Sequence, residues 1–255
     1  MRSKFLVLSI FSLVPAVAMC DDPPPPDGVW TGKGQAGYVA SQGNTNAKSA
    51  NAALDAARVD GAWKNALHLG GLYGDNSGIV AAERWDAGWQ GNYEISKTMF
   101  GFGALRYAHD MFSGFQYQAS ATVGLGDKLI DTNATKLTVQ LGAGFRRLRP
   151  EIIDKDPLGS GRVIARTPLD AKSDAVLSAG LNYSQALTGT TTLTDKLLVE
   201  SGSSDTLISN SLALAVSISK KLSLSLGYTI QDNTKPPAGL KKLDTLETLN
   251  LVYAF

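Results

Sequence analysis

Runs of roughly ten to twelve residues in which apolar and polar side chains alternate constrain this chain more than any other feature. In "RWDAGWQGNYEI", Trp85, Ala87, Trp89, Gly91, Tyr93 and Ile95 are apolar or small, while Arg84, Asp86, Gln90, Asn92 and Glu94 fall between them. A period of two belongs to a β-strand with one apolar and one polar face. In Phe115 to Gly126, Phe115, Tyr117, Ala119, Ala121, Val123 and Leu125 oppose Gln116, Gln118, Ser120 and Thr122, and Leu222 to Gln231 repeats the pattern. Strands of soluble sandwiches run to about five or six residues, whereas a tilted strand needs about 9 to 11 to cross hydrocarbon. Strand length therefore predicts a membrane barrel rather than a sandwich.

Segments of this kind fall near residues 29–40, 49–59, 62–73, 84–95, 98–108, 115–126, 135–147, 174–187, 191–201, 206–218, 222–231 and 245–255. The expected fold is all-β: a transmembrane antiparallel up-and-down β-barrel of about 12 strands over residues 29–255. Connections alternate in length. Asp60-Gly61, Ser96-Lys97, Thr188 to Thr190 and Ser219 to Lys221 read as tight, and Asp127 to Ala134 as a somewhat longer turn. On the other side, Asp75 to Glu83, His109 to Gly114, Leu148 to Ser173 and Asp232 to Asp244 read as longer loops, with Gly202 to Asp205 short. Outer-membrane barrels show this asymmetry, with short periplasmic turns and long outer loops. With the first strand running outward, Trp30, Trp63, Tyr93, Tyr183, Tyr253 and Phe255 fall near one rim of the apolar face. Tyr38, Tyr73, Trp85, Tyr107, Phe115, Phe145 and Tyr228 fall near the other, which predicts two interfacial aromatic belts.

Both ends of the chain agree with this location. Arg2 and Lys4 precede the apolar run Phe5 to Val14 and the small residues Ala16-Val17-Ala18, the pattern of a cleaved signal peptide over residues 1–18. Cys20, the one cysteine, rules out an internal disulfide, and Met19 stands where a lipoprotein signal wants a small residue. "DDPPPPDG" favours extended polyproline, so residues 19–28 read as a periplasmic spacer. The chain closes on "LETLNLVYAF", where Leu249, Leu251, Tyr253 and Phe255 share the apolar face and the terminal aromatic resembles the signal read by the outer-membrane assembly machinery.

Alternation also assigns the lumen. Lys33, Lys64, Arg84, Arg106, Arg146 and Lys196 are expected there against Asp55, Asp86, Glu94 and Glu200, with His68 among them. Such a set could line a pore or fill the barrel with cross-lumen ion pairs, and about twelve strands lies between the filled and porin regimes. His68 and His109 are the only histidines, and neither has a carboxylate or cysteine at metal-ligand spacing. No cofactor, metal or catalytic motif is expected. Gly43 to Asn46 reads as a turn, because Gly and Asn accept positive φ. Signal cleavage removes two of 24 basic residues against 23 acidic ones, so nothing supports nucleic-acid binding.

"SQGNTNAKS", "KLLVESGSS" and "DNTKPPAGLKKLDTLETLNLVYAF" together resemble the YdiY-like family of salt-induced outer-membrane proteins, whose function is uncharacterised. The resemblance spans the chain from Trp30. It implies a bacterial outer-membrane barrel in contact with outer-membrane lipid and lipopolysaccharide, a role in salt or envelope stress, and no active site. A passive channel for small solutes is the alternative, with a hydrolase using serine and His68 as a further one. Oligomeric state leaves no mark in the sequence.

Overall fold

The computed structural model describes residues 27–42, 46–111, 113–157, 162–237 and 240–255. The expected signal peptide, Cys20, most of the expected proline-rich spacer and the Gly43 to Thr45 part of the expected first turn lie outside the described residues.

Among the described residues thirteen strands form in order: β1 Trp30–Ser41, β2 Ala47–Asp60, β3 Trp63–Asn76, β4 Ile79–Glu94, β5 Met99–Asp110, β6 Phe115–Asp131, β7 Thr135–Lys155, β8 Val163–Pro168, β9 Lys172–Ala186, β10 Thr191–Gly202, β11 Thr206–Ser217, β12 Leu222–Asn233 and β13 Leu243–Ala254. Each pairs antiparallel with its sequence neighbour, except that β7 pairs with β9 and β8 lies only on the end of β7. β1 joins β13 through Lys33 opposite Ala254 to Ala36 opposite Leu251, and Gly32 and Phe255 exchange backbone bonds of 3.1 and 3.0 Å. Twelve strands thus close into a barrel without an edge, the condition for a sheet to cross lipid.

The outer face carries the large apolar side chains. Leu141, Phe145, Val123 and Leu177 are 68–71% exposed, and Leu249, Leu251, Tyr253 and Phe255 stand out along the closing strand. A continuous apolar wall of this kind is foreign to water-soluble monomers. Buried apolar residues, Phe100, Phe102, Leu148, Val176 and Val252 among them, lie on the alternate positions and so inside.

Three connections differ from the sequence expectation. The Asp75 to Glu83 loop is a hairpin, because β3 and β4 run on to a two-residue turn in which Ser77 and Gly78 both take positive φ. Such a turn matches the twist of its strands. β6 likewise continues to Asp131, so the Asp127 to Ala134 turn shrinks to residues 132–134. The stretch Leu148 to Lys172 is not an irregular loop: β7 reaches Lys155 and pairs with β8 as a hairpin arm beyond the barrel, with Ile152 opposite Thr167. Its charged and apolar residues do not alternate cleanly, and among the described residues β8 has no second strand beside it. Phe115 also leaves its expected belt. It is 3% exposed, because a register shift between Phe115 and Tyr117 takes it out of the strand's alternation.

Candidate functional site in the barrel lumen

Hairpin register sets the first cluster. Lys33 pairs with Asp55, Asp55 with His68, and Gly70, two residues beyond His68, with Asp86. Lacking a side chain, Gly70 lets Asp86 turn back toward the ring: a Cβ there would sit 3.0 Å from Asp86 Oδ1. His68 Nδ1 lies 2.7 Å from Asp55 Oδ1, and Nε2 lies 3.0 Å from Asp86 Oδ2. Only a doubly protonated ring can donate to both carboxylates. Lys33 Nζ at 4.0 Å from Asp55 and Arg84 Nε at 3.8 Å from Asp86 complete the neighbourhood, and Lys196 adds its charge to that around Asp55. His68 thus has two carboxylate partners that spacing along the sequence does not reveal. Its partners are distant in sequence and adjacent across strands.

A second cluster spans the lumen. Arg106 on β5 donates through Nη2 to Glu200 Oε1 on β10, and Ser120 Oγ donates to the same oxygen at 3.1 Å. β5 and β10 are not neighbours in the barrel, so this contact crosses the interior, as does the 3.2 Å bond from Gln90 Nε2 on β4 to Gln140 Oε1 on β7. The Glu200 side chain is 2% exposed. Toward the end where β1 begins and β13 ends, Glu94 accepts from Lys128 Nζ at 2.6 Å, with Lys64 in the same field of charge.

The third cluster sits at the opposite end. Arg146 Nη2 donates to the backbone oxygen of Asp205 at 2.6 Å and lies 3.6 Å from its Oδ2. Asp205 Oδ1 accepts from Thr234 Oγ1 at 3.0 Å and from the Lys235 amide at 2.7 Å, while Lys235 Nζ donates to the Ser203 carbonyl at 3.1 Å. Ser203 Oγ and the Ser204 amide in turn donate to Asp174. The β12–β13 connection reaches further still. A methyl group on Gly114 would fall 2.2 Å from Leu240 Cδ1 and 3.0 Å from Pro237 Cγ. Gly114 lies between β5 and β6, on the far side of the ring from β12 and β13, so this connection crosses the mouth. Gly114 has φ of 78°, and its lack of a side chain is what lets the crossing segment seat.

All eleven expected lumen residues occupy inward positions of the alternation, and most meet a partner from another strand. Sequence reasoning missed Asp205, Thr234 and Lys235 in the mouth, and Phe100 and Phe102 in the interior. The two phenylalanines lie on the inner face of β5 over glycines: a Cβ at Gly126 would meet the Phe100 ring at 2.2 Å, and one at Gly124 the Phe102 ring at 2.8 Å. The signal was present in "MFGFGALR", since counting back by twos from Arg106 lands on both rings. His109 stands apart from the lumen, with its ring beside Trp85 and Nδ1 against the Gln116 carbonyl. Among the described residues no group of three or more His, Cys, Asp or Glu side chains is arranged to hold a metal ion.

A closed sheet with an apolar exterior, a charged interior and strands of lipid-crossing length defines a transmembrane β-barrel of the outer-membrane type. The chain belongs to the family described as a protein of unknown function, DUF481, which matches residues 34–255. It is 24% identical over 242 residues to the uncharacterized protein YdiY of Escherichia coli strain K12, covering 92% of this chain and 86% of that one. Among solved structures it is similar to the translocator domain of the autotransporter NalP from Neisseria meningitidis, with 16% identity, a TM-score of 0.46, and 89% and 87% of the two chains covered. The NanC porin is similar at 12% identity and a TM-score of 0.47, covering 89% of this chain and 99% of that one.

Proposed function

We propose that this protein resides in the bacterial outer membrane as a barrel with a narrow lumen closed at its outer mouth, and that it serves the envelope under salt or envelope stress rather than as an open diffusion pore. The observation that carries this reading is the β12–β13 connection lying across the mouth, tied through Asp205 to Arg146 and seated against Gly114 on the opposite rim. Arg106–Glu200 and Gln90–Gln140 fill the interior beneath it. Location is supported by the apolar wall and the aromatic residues at its two ends, and the stress role by the sequence resemblance. Leu249, Leu251, Tyr253 and Phe255 offer their apolar face to the assembly machinery as well as to lipid.

Planar-bilayer recording of refolded protein tests the closed lumen. The wild type is expected to give no steady conductance, and deletion of Pro236 to Lys241 is expected to open one. Steady current through the wild type overturns the reading in favour of a passive channel for small solutes. That second reading has one observation of its own: β11 to β13 line their side of the lumen with small hydroxyl residues, Ser211, Ser225, Thr229 and Thr248. A hydrolase finds less support, because His68 is engaged by two carboxylates where a nucleophilic serine would need it.

A further inference from the structure

The outer wall is not uniformly convex. Between β4 and β10 it holds a groove of about 780 Å³ whose floor is Gly103, Ala121, Ala143 and Ala175 and whose banks include Leu105 and Leu177. An adjoining groove of about 660 Å³ shares Trp89, Leu105, Ala121 and Phe145, and runs up to Arg147 and Ser173. Both volumes fall within the range of about 300 to 1,000 Å³ typical of ligand sites.

In hydrocarbon an apolar groove has no hydrophobic advantage, since lipid tails are as apolar as its walls. A concave bed of alanine and glycine still gains dispersion contacts along a whole chain, which a convex wall cannot offer. The headgroup then decides which lipid stays. Arg147 projects at the top of the second groove, exposed, with no ion-pair partner among the described residues. Arg149, two residues further along the same face, donates through Nε to the Leu169 carbonyl at 3.1 Å, which orients the rest of its guanidinium. Beside them a row of rings leads across the wall: Trp85 stacks on Tyr107 with centroids 4.9 Å apart, and Tyr107 on Tyr117 at 6.0 Å. Aromatic rings collect at headgroup level, and guanidinium groups bind phosphate in bidentate fashion.

We infer that this face of the barrel binds one molecule of the phosphorylated, multiply acylated glycolipid of the outer leaflet, with acyl chains in the two grooves and a phosphate on Arg147 and Arg149. The inference rests on the outer-membrane reading for its orientation, since it is the end away from the start of β1 and the close of β13 that must meet the outer leaflet.

Native mass spectrometry of the detergent-solubilised full chain tests it without reference to location or conductance. Offered equal amounts of lipid A and phosphatidylethanolamine, the wild type should retain a single lipid A at least about tenfold more than the zwitterionic lipid. Arg147→Glu should abolish that preference and Arg147→Lys should keep much of it. Ala121→Trp, which fills the bed common to both grooves, should reduce retention about tenfold, and Leu226→Trp on the far wall should leave it unchanged. Heat-modifiable migration confirms folding of each variant. Equal retention of the two lipids, preserved retention in Arg147→Glu, or preserved retention in Ala121→Trp each overturns the inference. Cell fractionation, an independent measurement, decides the location.

Discussion

Strands β4 to β7 turn Gln90, Phe100, Phe102, Arg106 and Arg146 into the lumen, whereas β11 to β13 turn Ser209, Ser211, Ser225, Gly227, Thr229 and Thr248 into it. Outside, the two walls are alike: Leu105 and Leu141 face lipid on one, Leu226 and Leu249 on the other. The membrane imposes one rule on every strand, and the lumen imposes none, so specialisation collects inside. On the crowded wall the two phenylalanine rings are matched by absences, with Gly124, Gly126 and Gly142 opposite them. On the sparse wall small residues face one another, and their polar groups pair locally, as Ser211 does with Thr229 at 3.0 Å.

The largest contrast should come from the buried charge. Arg106→Ala leaves Glu200 buried without its cation and should cost about 3–5 kcal/mol, whereas Thr229→Ala on the sparse wall should cost less than about 1.5 kcal/mol. Urea-dependent unfolding in lipid vesicles reads both, and equal losses would erase the distinction between the walls. Phe102→Ala comes next, at about 3 kcal/mol, because the glycines beneath the ring cannot fill the space it leaves. A fully compensated loss would mean that the crowded wall can collapse.

Charge placement sharpens the comparison between faces. Leu141→Arg puts a cation into lipid near mid-strand and should cost about 2–4 kcal/mol. Ser211→Arg should be tolerated, since the sparse wall carries small side chains, while Gln140→Arg should fall between them because Gln140 is held by Gln90 and packs over Gly180. Refolding yield into vesicles orders the three, and Ser211→Arg ranking with Leu141→Arg would mean that the lumen is filled throughout. The smallest effect is local. Thr234→Val removes one donor to Asp205 Oδ1 while leaving the Arg146–Asp205 pair in place, at a cost of about 0.5–1.5 kcal/mol. It should raise hydrogen exchange in the β12–β13 connection while leaving the β4–β7 strands protected. Unchanged exchange would show that Pro237 and Leu240 hold the crossing segment without the polar latch.

The amino-acid sequence by itself determined the barrel, the parity of every lumen residue chosen from it, and the lipid-facing positions of the closing strand. The reason is that lipid makes the alternation of each strand compulsory, and alternation is a local property that a single segment reveals. Even Phe100 and Phe102 were legible by the same count. Only the tertiary structure decided which inward residues meet. Arg106 finds Glu200, and His68 finds both Asp55 and Asp86, through strand register and barrel closure, which depend on all the hairpins together. It also decided what lies beyond the lipid. Past the membrane the alternation is no longer enforced, so Phe115 slips inward at a register shift, β7 and β8 form an arm from a stretch with no clean period, and the segment before β13 crosses the mouth to Gly114.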